Sequence, residues 1–247
     1  MLLTDFGNDS YVGIVKGVIL SLCPQTTIVD LAHHVEPQAV RQAAWLLLTA
    51  YSFFPPGSVF LVVVDPGVGT ERQALAVQAG DYCFVGPDNG VLYPAAISAG
   101  ETLQAVALPV PEGASSTFHG RDVFAPAAAK LASGRPLTEL GSRTEMQARL
   151  QFYLSGREGE VVTLDRFGNV ITNLPPVPGR RRYRVTLCRE GRQYWQGEVP
   201  CYRAYAHASE ASPFLIVGSA GTLELSIRNG SAAESLGVRM GDYLRAE

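Results

Sequence analysis

Asp65 follows the apolar run Leu61-Val62-Val63-Val64 and opens the turn Pro66-Gly67-Val68-Gly69-Thr70-Glu71, which ends on Arg72. So apolar a run is the pattern of a strand buried on both faces in the middle of a parallel sheet. Asp65 is then expected at the carboxyl end of that strand, the edge where ligands of open α/β sheets bind. Gly67 and Gly69 allow a sharp turn and a close backbone approach, so Arg72 can fold back to pair with Asp65. A turn-capping Asp and a surface Arg are the plainer alternative. His119 lies in a second loop, Ser115-Ser116-Thr117-Phe118-His119-Gly120-Arg121-Asp122, at the start of an Ala-rich helix expected over Arg121 to Leu131. That places it beside exposed N–H groups and the positive end of a helix dipole. Single histidines are usually structural; this one sits among Ser, Thr, Gly, Arg and Asp, and so is a candidate for chemistry. A third polar stretch, Asp165-Arg166-Phe167-Gly168-Asn169 with Thr172-Asn173, has Asp and Asn in turn-forming positions.

The elements that position these residues fall into two halves. The chain opens on Met1-Leu2-Leu3-Thr4-Asp5-Phe6-Gly7, a short apolar run ending in Asp; a residue or two is expected to precede it. Asn8-Asp9-Ser10 supplies a helix start, and Val12, Val15, Val18, Ile19 and Leu22 recur at helical spacing up to Pro24. A strand over Thr27 to Leu31, a helix over Gln38 to Tyr51 and a strand over Val59 to Val64 complete a β-α-β-α-β series. That order predicts a mostly parallel central sheet with right-handed crossovers. Gly80-Asp81 between two apolar runs signals a hairpin. From Gly159 onward the helical period disappears and short alternating runs are divided by Gly, Pro and Asn turns. We therefore expect an α/β domain over residues 1–150, a polar linker from Gly141 to Arg157, and a smaller all-β, barrel-like domain over residues 158–247.

Composition excludes several classes. Of 247 residues, 47% are apolar and 17% charged, which describes a globular chain able to bury a large core. The net charge is −3, and Arg180-Arg181-Arg182 is the only basic run, so a nucleic-acid partner is not expected. No apolar stretch is long enough to span a bilayer, and Leu2-Leu3 is interrupted at once by Thr4-Asp5, so neither a membrane nor a secretory path is indicated. Cys23, Cys83, Cys188 and Cys201 lie in no metal-ligand spacing and are expected as buried thiols in a cytoplasmic protein. No Gly-rich phosphate loop of the Walker or dinucleotide type is present, against a generic nucleotide-binding enzyme.

Six collinear stretches together resemble the S-adenosylmethionine (SAM) hydroxide adenosyltransferases, the hydrolytic relatives of the fluorinase and chlorinase enzymes. They are Thr4-Asp5-Phe6-Gly7 with Tyr11-Val12-Gly13 and Lys16-Gly17; Val64-Asp65-Pro66-Gly67-Val68-Gly69-Thr70 with Arg72; Pro87-Asp88-Asn89-Gly90; Ser116-Thr117-Phe118-His119-Gly120-Arg121-Asp122; Asp165 with Phe167-Gly168-Asn169 and Thr172-Asn173; and Asn229-Gly230-Ser231-Ala232-Ala233. They cover nearly the whole chain. The resemblance implies a homotrimer with each ligand between one subunit's first domain and the next subunit's second. It implies attack of water or hydroxide on the ribose C5′ of SAM, releasing adenosine and L-methionine, with no cofactor and no metal. It assigns catalysis to Asp65, Arg72 and His119, with the base among them left open.

For the substrate, the resemblance implies that Asp5 grips the ribose diol and that Asp9 and Asp165 lie near the methionine amino group. The loop after Asp5 is one residue shorter than the commoner family form. Asn169 corresponds to an adenine contact, Phe167 and Tyr205 to stacking positions on the purine, and Ser219 to a methionine-carboxylate contact. Gln38 stands where the halogenases carry a tryptophan. A SAM-dependent halogenase is the nearest alternative, but the halogenases lack the Asp/Arg/His trio and place a hydroxyl side chain where this chain has Gly120. A non-catalytic adenosine- or SAM-binding protein is the other, and it would not need His119.

Overall fold

The computed structural model describes residues 1–247, which divide into two compact units, Met1–Leu150 and Gln151–Glu247. The first unit contains strands β1 (Leu2–Thr4), β2 (Asp30–Ala32), β3 (Val59–Val63), β4 (Ala74–Ala79), β5 (Tyr82–Pro87), β6 (Leu103–Ala107) and β7 (Ser142–Thr144). Its helices are α1 (Ser10–Leu22), α2 (Val40–Ala50), α3 (Tyr93–Ala99) and α4 (Ala125–Ala132). The sheet order is β2-β1-β3-β5-β4-β6-β7.

The opening β-α-β-α-β series does produce parallel neighbours, with β1 between β2 and β3 and β3 beside β5. The sheet as a whole is mixed, however, not mostly parallel: β4 runs antiparallel to β5 and β6, and β6 antiparallel to β7. The cause is the Gly80-Asp81 hairpin, which reverses the chain and leaves the later strands to extend an antiparallel edge. The β7 strand also removes residues 142–144 from the expected linker.

Four of the five residues of β3 are fully buried, as its unbroken apolar run requires. Leu61 and Val63 point into a core that includes Val15 and Ile19 of α1 and Ala125, Ala128 and Ala129 of α4. Phe60, on the opposite face, stacks on Phe84 with ring centres 5.4 Å apart, and Phe84 meets Tyr51 edge to face. The strand carrying Asp65 is thus gripped from both sides.

The second unit contains β8 (Leu154–Ser155), β9 (Glu158–Leu164), β10 (Val170–Thr172), β11 (Arg182–Arg189), β12 (Arg192–Tyr202), β13 (Pro213–Val217), β14 (Leu223–Ile227) and β15 (Tyr243–Ala246), with one helix, α5 (Ala232–Leu236). The strand order is β10-β14-β13-β12-β11-β15-β9-β8, and β10 also pairs with β9, so the series returns on itself. Most pairings are antiparallel, but β12 and β13 run parallel. Its sheet is therefore mixed rather than purely antiparallel. All four cysteines are unpaired; Cys23 is buried and the other three are half-buried.

Candidate functional site

In the first unit the site is built at the carboxyl ends of β1 and β3, which lie side by side with Thr4 opposite Val63. The residues that follow these two strands include Asp5 and Asp65. Beyond Asp65 the chain turns through Gly67 and Gly69, and Arg72 folds back on the carboxylate. Arg72 donates from Nε to Oδ1 of Asp65 at 2.9 Å and from Nη2 to Oδ2. The two side chains are 10% and 5% exposed, so this is a buried fork-to-fork ion pair.

His119 is delivered from the other loop. It is 5% exposed and immediately precedes a π-helical turn, Gly120–Phe124, that leads into α4. The expected helix start is thus displaced: the first turn is wound more loosely, a feature common at functional positions. Gly120 lets the turn lie against β3, since a Cβ there would come 3.1 Å from Cγ1 of Val63. His119 Nδ1 and Arg72 Nη2 are 2.9 Å apart. A guanidinium only donates, so Nδ1 is the acceptor and the proton of the neutral imidazole resides on Nε2. Burial, then the positive charge of Arg72, holds the imidazole below its ordinary pKa, with Asp65 and Asp122 opposing. Arg72 has one nitrogen to spare: Nη1 is buried and has no hydrogen-bond partner. Asp65, Arg72 and His119 are therefore in one contact chain, with an unused guanidinium nitrogen beside it.

Supporting residues fix this arrangement. Asn89 donates to the carbonyl of Val64 at 2.8 Å and accepts from the N–H of Val91, pinning the residue before Asp65. The guanidinium of Arg72 lies 5.3 Å from the ring centre of Phe124. Phe6, Tyr11 and Phe118 form an aromatic triangle with ring centres 5.2 to 6.0 Å apart, tying the loop after β1 to the loop of His119. Asp5 accepts a hydrogen bond from the backbone N–H of Gln38 at 2.8 Å, and Gln38 is held at φ 66°, a left-handed conformation uncommon outside glycine. Asp9 precedes α1 exposed to solvent, and its side chain makes no capping bond. No group of three or more His, Cys, Asp or Glu side chains is arranged to hold a metal ion.

In the second unit, Asp165, Phe167, Asn169 and Tyr205 line one open groove of about 710 Å³, together with Asn229 and Gly230. Asp165 organises its rim: Oδ1 accepts from the N–H of Phe167 and of Asn169, each at 2.9 Å, and Oδ2 accepts from Nδ2 of Asn169 at 2.7 Å. Asn169 is buried while Phe167 stands 78% exposed, an aromatic face presented to solvent. Gly168, at φ 80°, is packed so closely on Ser231 that a Cβ would come 2.1 Å from its hydroxyl. That contact explains why the Phe167-Gly168-Asn169 stretch needs the small residues of Asn229-Gly230-Ser231-Ala232-Ala233. Ser219 lies exposed in the turn between β13 and β14 and does not line the groove.

One residue near the groove was not visible in the sequence. Glu224 of β14 is buried and accepts from the hydroxyl of Tyr205 at 3.0 Å. Desolvation raises its pKa; the Tyr205 hydrogen bond opposes this and the charge of Asp165 adds to it. The alternation Leu223-Glu224-Leu225-Ser226-Ile227 suggests a solvated polar face, yet all five residues are buried.

Comparison with known proteins places this geometry in context. Residues 1–141 match the SAM hydroxide adenosyltransferase N-terminal domain and residues 159–245 the C-terminal domain of the same name. The chain is 43% identical over 257 aligned positions to an (R)-S-adenosyl-L-methionine hydrolase of Thermus thermophilus, covering 98% of this chain and 97% of that protein. A hydrolase of the same name from Methanocaldococcus jannaschii is 34% identical, with 98% and 92% covered. A fluorinase of Actinopolyspora mzabensis is 26% identical, with 98% and 95% covered. Among solved structures, an uncharacterized conserved protein from Thermotoga maritima superposes with a TM-score of 0.90 at 36% identity, covering 100% of this chain and 99% of that one.

Proposed function

We infer the reaction from one premise: the chain belongs to the SAM hydroxide adenosyltransferase family. It is an enzyme that hydrolyses SAM, as the names of its full-length relatives state for those proteins. The products are adenosine and L-methionine, formed when a water oxygen bonds to the ribose C5′ as the C5′–S bond breaks. The observation that carries this reading is the contact of Arg72 with both Asp65 and His119.

The chemistry follows from what each group can still do. The sulfonium leaves as a neutral thioether and needs no acid. The difficulty lies in presenting water, whose free pKa is about 15.7, as a nucleophile. His119, with Nδ1 turned to Arg72, presents Nε2–H and so orients the water oxygen rather than taking its proton. The spare Nη1 of Arg72 can donate to the same oxygen. As the C–O bond forms that oxygen becomes strongly acidic, so the acceptor need not be a strong base. Asp65 fills that role, each of its oxygens keeping a lone pair beyond the bond to Arg72. The protein then needs neither metal nor cofactor.

Substrate contacts are proposed on the same footing. Asp5 takes the ribose diol, Asn169 the adenine edge, and Phe167 and Tyr205 the purine faces. Asp165 holds Asn169 in place as well as lying toward the methionine amino group. Asp9 and Ser219 are proposed methionine contacts made in the assembled enzyme. That enzyme is proposed as a cytoplasmic homotrimer in which one subunit's first unit faces the next subunit's second; no helix here is long and apolar enough to cross a membrane. The self-returning strand series of the second unit supports reading it as a barrel.

Chromatography of SAM incubated with the protein, with and without chloride or fluoride, tests the reaction. Adenosine and methionine in equal amounts, indifferent to halide, are expected. A 5′-halo nucleoside would reassign the chain to halogenation, and no product would make it a binding protein.

A further inference from the structure

A cleft of the second unit, about 1030 Å³, is separate from the groove of Asp165 and shares no lining residue with it. It is lined by Arg180, Arg181, Arg182, Arg203 and His207, and no Asp or Glu contributes to its wall. In a chain of net charge −3, four arginines lining one cleft with no Asp or Glu beside them form a locally inverted field. The contrast with a neighbour is direct: Arg184, two residues along β11 from Arg182, is paired with Glu198 at 3.0 Å.

The loop that carries Arg180 and Arg181 and leads into Arg182 is built, not loose. Pro176 and Pro178 restrict its backbone. The hydroxyl of Tyr183 accepts from the N–H of Val177 at 2.9 Å and also reaches its carbonyl. Arg180 donates its N–H to the carbonyl of Val177, and the carbonyl of Arg181 accepts from the N–H of Cys201. The guanidinium of Arg180 lies over the Tyr183 ring, 5.4 Å from its centre. The backbone therefore keeps these arginines on the wall of one cleft, where a bound anion would offset their like charge.

We propose that this cleft binds a small molecule bearing two or more phosphate groups, such as a nucleoside polyphosphate or an inorganic polyphosphate. Guanidinium forks match phosphate oxygens two at a time, and several in one wall favour a ligand with several charges. The volume exceeds what a single phosphate fills and reaches the upper end of the range for small-molecule sites. The site is distinct from the one assigned to SAM, so the proposal stands whether or not that reading does.

Calorimetric titration of the full-length protein with pyrophosphate and tripolyphosphate, at about 0.15 M salt, tests it. One site per chain is expected, weakening as salt rises. The variant R181Q/R182Q should lose about tenfold or more in affinity, R203Q should lose a smaller factor, and N169A should lose none. SAM turnover without added anion should be unchanged in the arginine variants, and their thermal unfolding should match the parent. Absence of binding by the parent, or binding that none of the arginine variants weakens, overturns the proposal. So does a change of sedimenting mass in either arginine variant, which makes the cleft a contact between copies. Binding of an RNA or DNA strand without binding of the small polyphosphates also overturns it.

Discussion

Arg72 donates to Nδ1 of His119 across 2.9 Å, while the same guanidinium grips the carboxylate of Asp65. One side chain therefore sets both the tautomer of the imidazole and the orientation of the acid.

The pH dependence follows from that contact. His119 is held below its ordinary 6.5, first by burial and second by Arg72. A base whose folded pKa is depressed gives stability that is present above the unfolded value and is lost as pH falls through the folded one. Both unfolding free energy and turnover should thus hold steady above about 6.5 and fall on the acid side, where a proton on Nδ1 would oppose Arg72. A pH–rate profile with a parallel NMR titration of His119 checks this; an imidazole titrating above its ordinary value would contradict it. The variants H119N and H119Q separate the two ring nitrogens, because Asn can replace the acceptor facing Arg72 and Gln the donor facing water. If Nε2–H does the work, H119Q should retain more activity than H119N, within an overall loss of about 10²–10⁴.

The buried pair makes a second, thermodynamic prediction. Removing the charge of Asp65 leaves Arg72 buried without its counter-ion, with a side chain only 10% exposed. Breaking such a pair from one side costs about 3–5 kcal/mol. D65N and R72A should each be strongly destabilised in urea, whereas D65A/R72A should lose clearly less than the sum of D65A and R72A. Additive losses in that cycle would show that the pair is not coupled. R72K should fold better than R72A yet remain inactive, since an ammonium cannot span Asp65 and His119 together.

These contacts were partly legible in the chain. The four apolar residues before Asp65, three of them β-branched, point to a buried central strand, because so short a run bounded by a Gly/Pro turn suits a strand better than a helix. The switch of period after residue 150 announced a second unit of short strands. The mixed first sheet is not legible locally, although the Gly80-Asp81 hairpin already requires one reversal: strand order depends on contacts far apart in sequence, to which local periodicity is blind. The π-helical turn is hidden for a similar reason, since Gly120-Arg121-Asp122 carries ordinary helix-start chemistry and the close approach of Gly120 to Val63 is a tertiary contact. Glu224 was hidden because a polar residue in an alternating strand signals a solvated face unless another element covers it.

Glu224 supplies a third prediction. A carboxyl whose folded pKa is raised gives stability that is full below its unfolded value, about 4.5, and is lost as pH rises through the folded value. E224Q keeps an acceptor for Tyr205 but cannot ionise, so it should gain stability relative to the parent as pH climbs above about 4.5. E224A instead removes the partner of a hydroxyl that burial, with Glu224 itself, pushes up to about 12. Tyr205 then loses its anchor on the groove, and KM for SAM should rise with kcat little changed. Stability curves across pH and steady-state kinetics of both variants test this; E224Q that tracks the parent at every pH would refute it.

A close approach at Gly69 holds the turn between Asp65 and Arg72 against the loop of His119. Gly69, in the turn between Asp65 and Arg72, has φ 76°, and a Cβ there would come 2.3 Å from the carbonyl oxygen of Ser116. Ser116 belongs to the loop that presents His119. Gly113 has a similar φ of 81° but nothing within 4 Å of its Cβ position, so it carries the backbone strain without the contact. G113A should therefore show only the conformational penalty, about 1 kcal/mol, with activity intact. G69A must add displacement of the Ser116 backbone, which moves His119 away from Arg72, and a shift of about 1 Å in such a site is worth about a hundredfold in rate. Thermal unfolding and kcat measured side by side give the test. Equal activity in the two variants would mean that the close approach at Gly69 does not position His119, and that the imidazole is placed by its π-helical turn alone.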